Sequence, residues 1–146
     1  MTGRAWVGDV GDLTVEELDI VTPGGNYSWP YCEGNLPTGC QHPGDIAPIL
    51  TYPRSGSSSF GSTIIGGAFA PGGFGSFGGQ YFFADFGVSK IYRAVPNGTH
   101  TGLSGTPQSF VTGASGPVDL VFGPSNSLYY VAYYSGEVRR VQPNGC

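Results

Sequence analysis

Charge is scarce in this sequence. Only 11% of its 146 residues are Asp, Glu, Lys or Arg, six of them basic, and the net charge is -4. A chain so poor in cations lacks the electrostatic footprint for nucleic acid or an anionic membrane surface. No apolar run approaches the roughly 20 residues needed to cross a bilayer. No signal peptide is expected at the start of this sequence either, because Met1 leads straight into TGRAWVGDV, which already reads as a strand. Two expectations follow: a cytosolic chain, or one from which a leader and more have been removed. Zinc lacks ligands too, since His42 is the only His near Cys32 and Cys40 and no second ligand pair exists.

Glycine, proline and aromatic residues fill the gap. The chain has 26 Gly and 12 Pro, and aromatics reach 14%. Many short strands joined by Gly/Pro turns give such a composition, and the interleaved aromatics argue against disorder. The densest stretch is Gly24–Gly34, GGNYSWPYCEG, where glycine freedom and the fixed φ of Pro30 make a turn rather than a strand. Its large aromatics either cover a core edge or line a pocket. Cys32 and Cys40 bracket a Gly/Pro-rich loop, and a disulfide between them is expected; free thiols or half a metal site are the alternatives. That pairing favours a secreted, extracellular or periplasmic setting. Cys146 has no evident partner. Asn26 and Asn97 each open a triplet of the N-glycosylation type.

A repeat organises the rest. KIYRAVPNG (Lys90–Gly98) and EVRRVQPNG (Glu137–Gly145) superpose without a gap, 47 residues apart, and ELDIVTPGG (Glu17–Gly25) matches them more loosely. Upstream, QYFFADF (Gln80–Phe86) and SLYYVAY (Ser127–Tyr133) hold the same spacing, with RAWVGDV (Arg4–Val10) as a third copy. IIGGAFAP (Ile64–Pro71) and PVDLVFGP (Pro117–Pro124) precede these. PILTYP (Pro48–Pro53) and QSFVTG (Gln108–Gly113) are expected to open the two complete units. Units of four short antiparallel strands in series predict an all-β chain of β-propeller blades, ahead of a simple sandwich. The division expected is a half-blade over residues 1–25, a full blade with a long entry loop over 26–98, and a last blade over 99–146. LTVEELDIV is expected to be strand rather than helix because of its β-branched residues and its match to the later copies. About two and a half blades do not close a propeller, which takes about four to eight. The missing edges are expected to be covered by upstream blades of the same protein or by further copies of this chain.

The runs GRAWVGDVGDLTVEELDIVTPGGNYSWPYCEG, STIIGGAFAPG, GQYFFADFGVSKIYRA and SGPVDLVFGPSNSLYYVAYYSGEVRRV together resemble the glucose/sorbosone dehydrogenase family. The resemblance implies a six-bladed propeller that uses pyrroloquinoline quinone (PQQ) and calcium to oxidise sugars, of which this chain would be the C-terminal portion. It places Tyr27, Trp29, Tyr52 and Arg54 on or near the cofactor face, with Arg54 as the candidate partner of a cofactor carboxylate. Departures accompany it. Where characterised members place a Lys this chain has Asp85-Phe86-Gly87-Val88, and where they place two Arg it has Gly116-Pro117-Val118-Asp119. His42 and His100 match no family motif, so no catalytic residue is assigned. The calcium carbonyls of the family fall outside the chain. PQQ and calcium are therefore expected in the intact fold, and neither bound tightly by this chain alone. Asp9, Asp85 and Asp119 recur at strand ends and are read as turn caps. The alternative function is a non-catalytic propeller, an extracellular binding or self-assembling module with a possible sugar ligand.

Overall fold

The computed structural model describes residues 4–54 and 63–142. Cys146 and the end of the Glu137–Gly145 repeat lie outside the described residues. Among the described residues ten strands make three antiparallel sheets. The first holds β1 (Ala5–Asp9), β2 (Val15–Val21) and β3 (Leu50–Pro53) in that order. The second runs β4 (Ile64–Phe69), β5 (Tyr81–Asp85), β6 (Lys90–Ala94) and β7 (Gln108–Thr112), and the third β8 (Pro117–Gly123), β9 (Ser127–Ala132) and β10 (Glu137–Val141). Among the described residues there is no α-helix, and LTVEELDIV contributes β2 as expected.

The strands lie where the repeat puts them, but the units start one strand later. Leu50–Pro53 pairs with β2, Leu18 opposite Leu50 and Val15 opposite Pro53, so it closes the first sheet rather than opening the second. Gln108–Thr112 likewise closes the second sheet against β6. The sheets consequently span residues 5–53, 64–112 and 117–141, not 1–25, 26–98 and 99–146. A repeat fixes the period of a series and leaves its phase open. The phase is decided by which neighbour offers an antiparallel ladder.

The second sheet is sandwiched between the other two, with β4 lying against β1 on one side and β8 on the other. All five residues of β5 are therefore buried, and its alternation sorts them between two cores. Tyr81 and Phe83 join Trp6, Leu18, Ile20, Tyr52 and Tyr92 between the first and second sheets. Phe82 and Ala84 join Phe74, Leu120, Leu128 and Tyr130 between the second and third. Each buried aromatic contributes about 1.5–3 kcal/mol. A bulge between Ile65 and Ala68 lets β4 press on β5, and a Cβ at Gly67 would sit 1.7 Å from the Phe82 carbonyl oxygen.

Polar groups also cross the first interface. Glu16, fully buried, takes a salt bridge from Arg54 at 2.8 Å and a hydrogen bond from the Ile64 N–H at 2.9 Å. Tyr52 donates its hydroxyl proton to Asp85 at 3.0 Å. Asp85 also accepts the Val88 N–H at 3.1 Å, which is the turn-capping role read from sequence.

Candidate metal centre

The β1–β2 ladder sets Asp9 directly opposite Glu17 and Val7 opposite Asp19. Residues 17 and 19 are two apart on one strand and share a face, so three carboxylates converge on one side of the hairpin. Glu16, Leu18 and Ile20 point the other way, into the interface with the second sheet. One ligand oxygen from each of Asp9, Glu17 and Asp19 lies within 4.8 Å of the others. Glu17 and Asp19 are buried, Asp19 at 4% exposure, while Asp9 is open to solvent. The Oδ1 of Asp19 is buried with no hydrogen-bond partner among the described residues.

The electrostatics reflect this crowding. Burial first, then the charges of Asp19 and Asp9, push the Glu17 carboxyl up to about 7. Burial and Asp9 push Asp19 up to about 6. Like charges directly opposed across a ladder are destabilising, and a buried carboxylate without a partner is more so. Protons or a cation must make up the difference.

The loop after β2 closes over this face. Tyr27 donates its hydroxyl proton to the Ile20 carbonyl and accepts the Thr22 N–H, at 2.9 and 2.8 Å. Asp45 ties the loop to itself, accepting from Asn26 Nδ2, Ser28 Oγ and the His42 N–H. The Cys32–Cys40 disulfide is formed, with Cα atoms 5.5 Å apart. Next to it Glu33 Oε1 accepts the N–H groups of Leu13, Thr14 and Val15 at 2.9, 2.8 and 3.2 Å. Partial burial raises the Glu33 carboxyl, but these donors more than offset it and hold it at about 2. A cavity of about 400 Å³ remains between loop and hairpin, walled by Asp9, Asp12, Glu17, Tyr27, Trp29 and Glu33 among others.

The four residues assigned to a cofactor face separate. Tyr27 and Trp29 reach the acidic cavity, Trp29 with 62% of its surface exposed. Tyr52 is buried in the inter-sheet core on Asp85, and burial first, then Asp85, holds its hydroxyl far above the usual range. Arg54 is committed to Glu16 and to the Gly11 carbonyl. Among the described residues no Lys or Arg lines the cavity. A tricarboxylate such as PQQ does not fit walls of this charge, and Arg54 is not free to receive it.

A hard divalent cation does fit. Calcium takes about six to eight oxygen ligands, and three carboxylates with one orphaned oxygen supply an oxygen-only set. Sequence reading missed this because it treated Asp9 as a turn cap like Asp85. The available signal was the hairpin register, which places Asp9 beside the second Glu of VEELD.

No family model matches the chain. Its structure is similar to the PQQ-bound aldose sugar dehydrogenase of Streptomyces coelicolor, with a TM-score of 0.65 at 22% identity, over 95% of this chain and 40% of that one. It is also similar to the soluble aldose sugar dehydrogenase of Escherichia coli in its apo form, with a TM-score of 0.73 at 20% identity, over 97% of this chain and 44% of that one. A putative glucose dehydrogenase of Thermus thermophilus gives a TM-score of 0.73 at 19% identity, over 97% and 41% of the two chains. The chain thus spans less than half the length of these structures. At this identity the likeness shows the fold, a set of β-propeller blades.

Proposed function

We propose that this chain supplies blades to a propeller of the sugar-dehydrogenase type, and that its own part there is to hold a hard divalent cation, calcium by ligand chemistry. The observation that carries this is the buried, unpartnered Asp19 Oδ1 within a cluster of three carboxylates. Asp9, Glu17 and Asp19 would hold the ion. Bound there, it would cancel the repulsion across the β1–β2 ladder and stabilise the hairpin that carries all three ligands.

PQQ-dependent oxidation of a sugar by the whole protein is supported by likeness of fold. The quinone would be bound by residues other than Tyr52 and Arg54, which are already engaged. The acidic cavity wall favours a scaffolding rather than a redox role for this part of the molecule. An extracellular or periplasmic location accords with the Cys32–Cys40 disulfide. Of the two glycosylation candidates Asn97 is the freer: its Nδ2 lies 3.4 Å from Thr101 Oγ1, whereas Asn26 Nδ2 is held at 2.7 Å by Asp45.

Thermal unfolding in excess calcium and in chelator tests the cation reading. Calcium at ~100-fold its Kd adds about 2.7 kcal/mol and raises Tm by several degrees. Identical melting in the two conditions would remove it. Dye reduction by the intact protein, with PQQ, calcium and an aldose, tests the dehydrogenase reading separately.

A further inference from the structure

β1 separates two cavities of opposite character. Asp9 at its end lines the acidic one, and Arg4, one residue before its start, lines the other. The second cavity, about 610 Å³, lies where the ends of β4 and β8 come together, with Phe69, Phe122, His100 and Asn126 in its walls. We propose that it is a binding site for a small aromatic monocarboxylate.

The walls are preformed and apolar. Phe69 is held edge-on to Trp6 and tilted on Tyr81, with both ring centroids 5.0 Å away. Phe122 is held by Phe74 at 4.9 Å and Phe82 at 5.5 Å. A flat apolar body entering between such walls gains contact without having to order them. The polar groups are cationic or neutral. Arg4 is exposed, and among the described residues it has no salt bridge and no carboxylate lines the cavity; His100 stands 6.4 Å from Phe69.

The backbone holds two of the lining side chains in defined positions. His100 and Asn126 are non-glycine residues in the left-handed region, with φ of 54° and 51°, as are five residues elsewhere among the described ones. Asn126 is further fixed by Gly73, where a Cβ would meet its Nδ2 at 2.1 Å.

Charge and volume select the ligand class. A neutral sugar would leave the Arg4 guanidinium without an anion, a phosphate would leave the phenylalanine walls uncovered, and a polycarboxylate would exceed the available cations. A single carboxylate suits one guanidinium fork, and about 610 Å³ is ample for one or two fused rings behind it.

Titration calorimetry with indole-3-acetate, and with indole-3-acetamide as its neutral match, tests this on the full chain. The carboxylate is expected to bind at least tenfold more tightly than the amide. Arg4→Gln should remove that preference, leaving amide affinity and the circular-dichroism melting curve unchanged. Asp19→Asn, in the carboxylate cluster beside the other cavity, should leave both affinities alone. The proposal is overturned by equal binding of the two compounds, by binding of neither up to millimolar concentration, or by an Arg4→Gln chain that still prefers the carboxylate.

Discussion

Asp9 and Glu17 face each other across the β1–β2 ladder, and Asp19, on the same face of β2, brings a third carboxylate within 4.8 Å of both. Two like charges at paired positions oppose the hairpin they belong to. The chain nevertheless buries Glu17 and Asp19 at this point. The arrangement is intelligible as a cation site and costly as anything else.

Removing one carboxylate should therefore act in opposite directions with and without the ion. In chelator near neutral pH, Asp19→Asn should raise stability by about 1–3 kcal/mol, because a buried carboxylate without a partner is lost. In excess calcium the same variant should melt below the parent. Crossing melting curves in the two buffers would be the signature, and a variant that is less stable in both would argue for an ordinary structural role.

Glu33 sets a pH dependence of its own. Its folded value, about 2, is depressed below the 4.5 usual for a glutamate, so the folded state binds fewer protons at this group than the unfolded state does. The stability it contributes is complete above pH 4.5 and is lost as pH falls toward 2. Glu33→Gln should lower stability at pH 7 by up to about 1 kcal/mol, because solvent screens these exposed bonds, and flatten the acid limb of a stability profile over that window. An unchanged acid limb would mean that the Leu13–Val15 N–H groups find equal partners without the carboxylate.

The interface between the first and second sheets should tolerate loss of a pair better than loss of a partner. Arg54→Met leaves Glu16 buried and unpaired, at a cost of about 3–5 kcal/mol. Adding Glu16→Gln should recover part of that. Denaturant unfolding of the two variants checks it, and a double variant no better than the single would show that Glu16 is held by the Ile64 N–H instead.

Open edges give a fourth expectation. Among the described residues β1 pairs only with β2, and β10 only with β9. Unpaired strand edges recruit other strands, so the isolated chain should self-associate at micromolar concentration. Light scattering that finds a stable, folded monomer would contradict this.

Most of the fold was legible because it rests on local pattern. Strand alternation and the 47-residue repeat located the strands, and the loop spacing of Cys32 and Cys40 indicated their bond. The phase of the sheets was not legible, since Leu50–Pro53 carries no mark of which neighbour it will pair with. The candidate site was legible only in part, for a related reason. Trp29 and Tyr27 were singled out as loop aromatics and do line a cavity, whereas Tyr52 and Arg54 are consumed by buried partners that only tertiary packing supplies. Asp9 and Glu17 are eight residues apart and become neighbours through register alone.

Calcium titration calorimetry on the chelator-stripped chain should find one calcium per chain, with affinity lost at least tenfold in Asp19→Asn and retained in Tyr52→Phe. No saturable binding, or binding that Asp19→Asn leaves intact, would contradict the cation site.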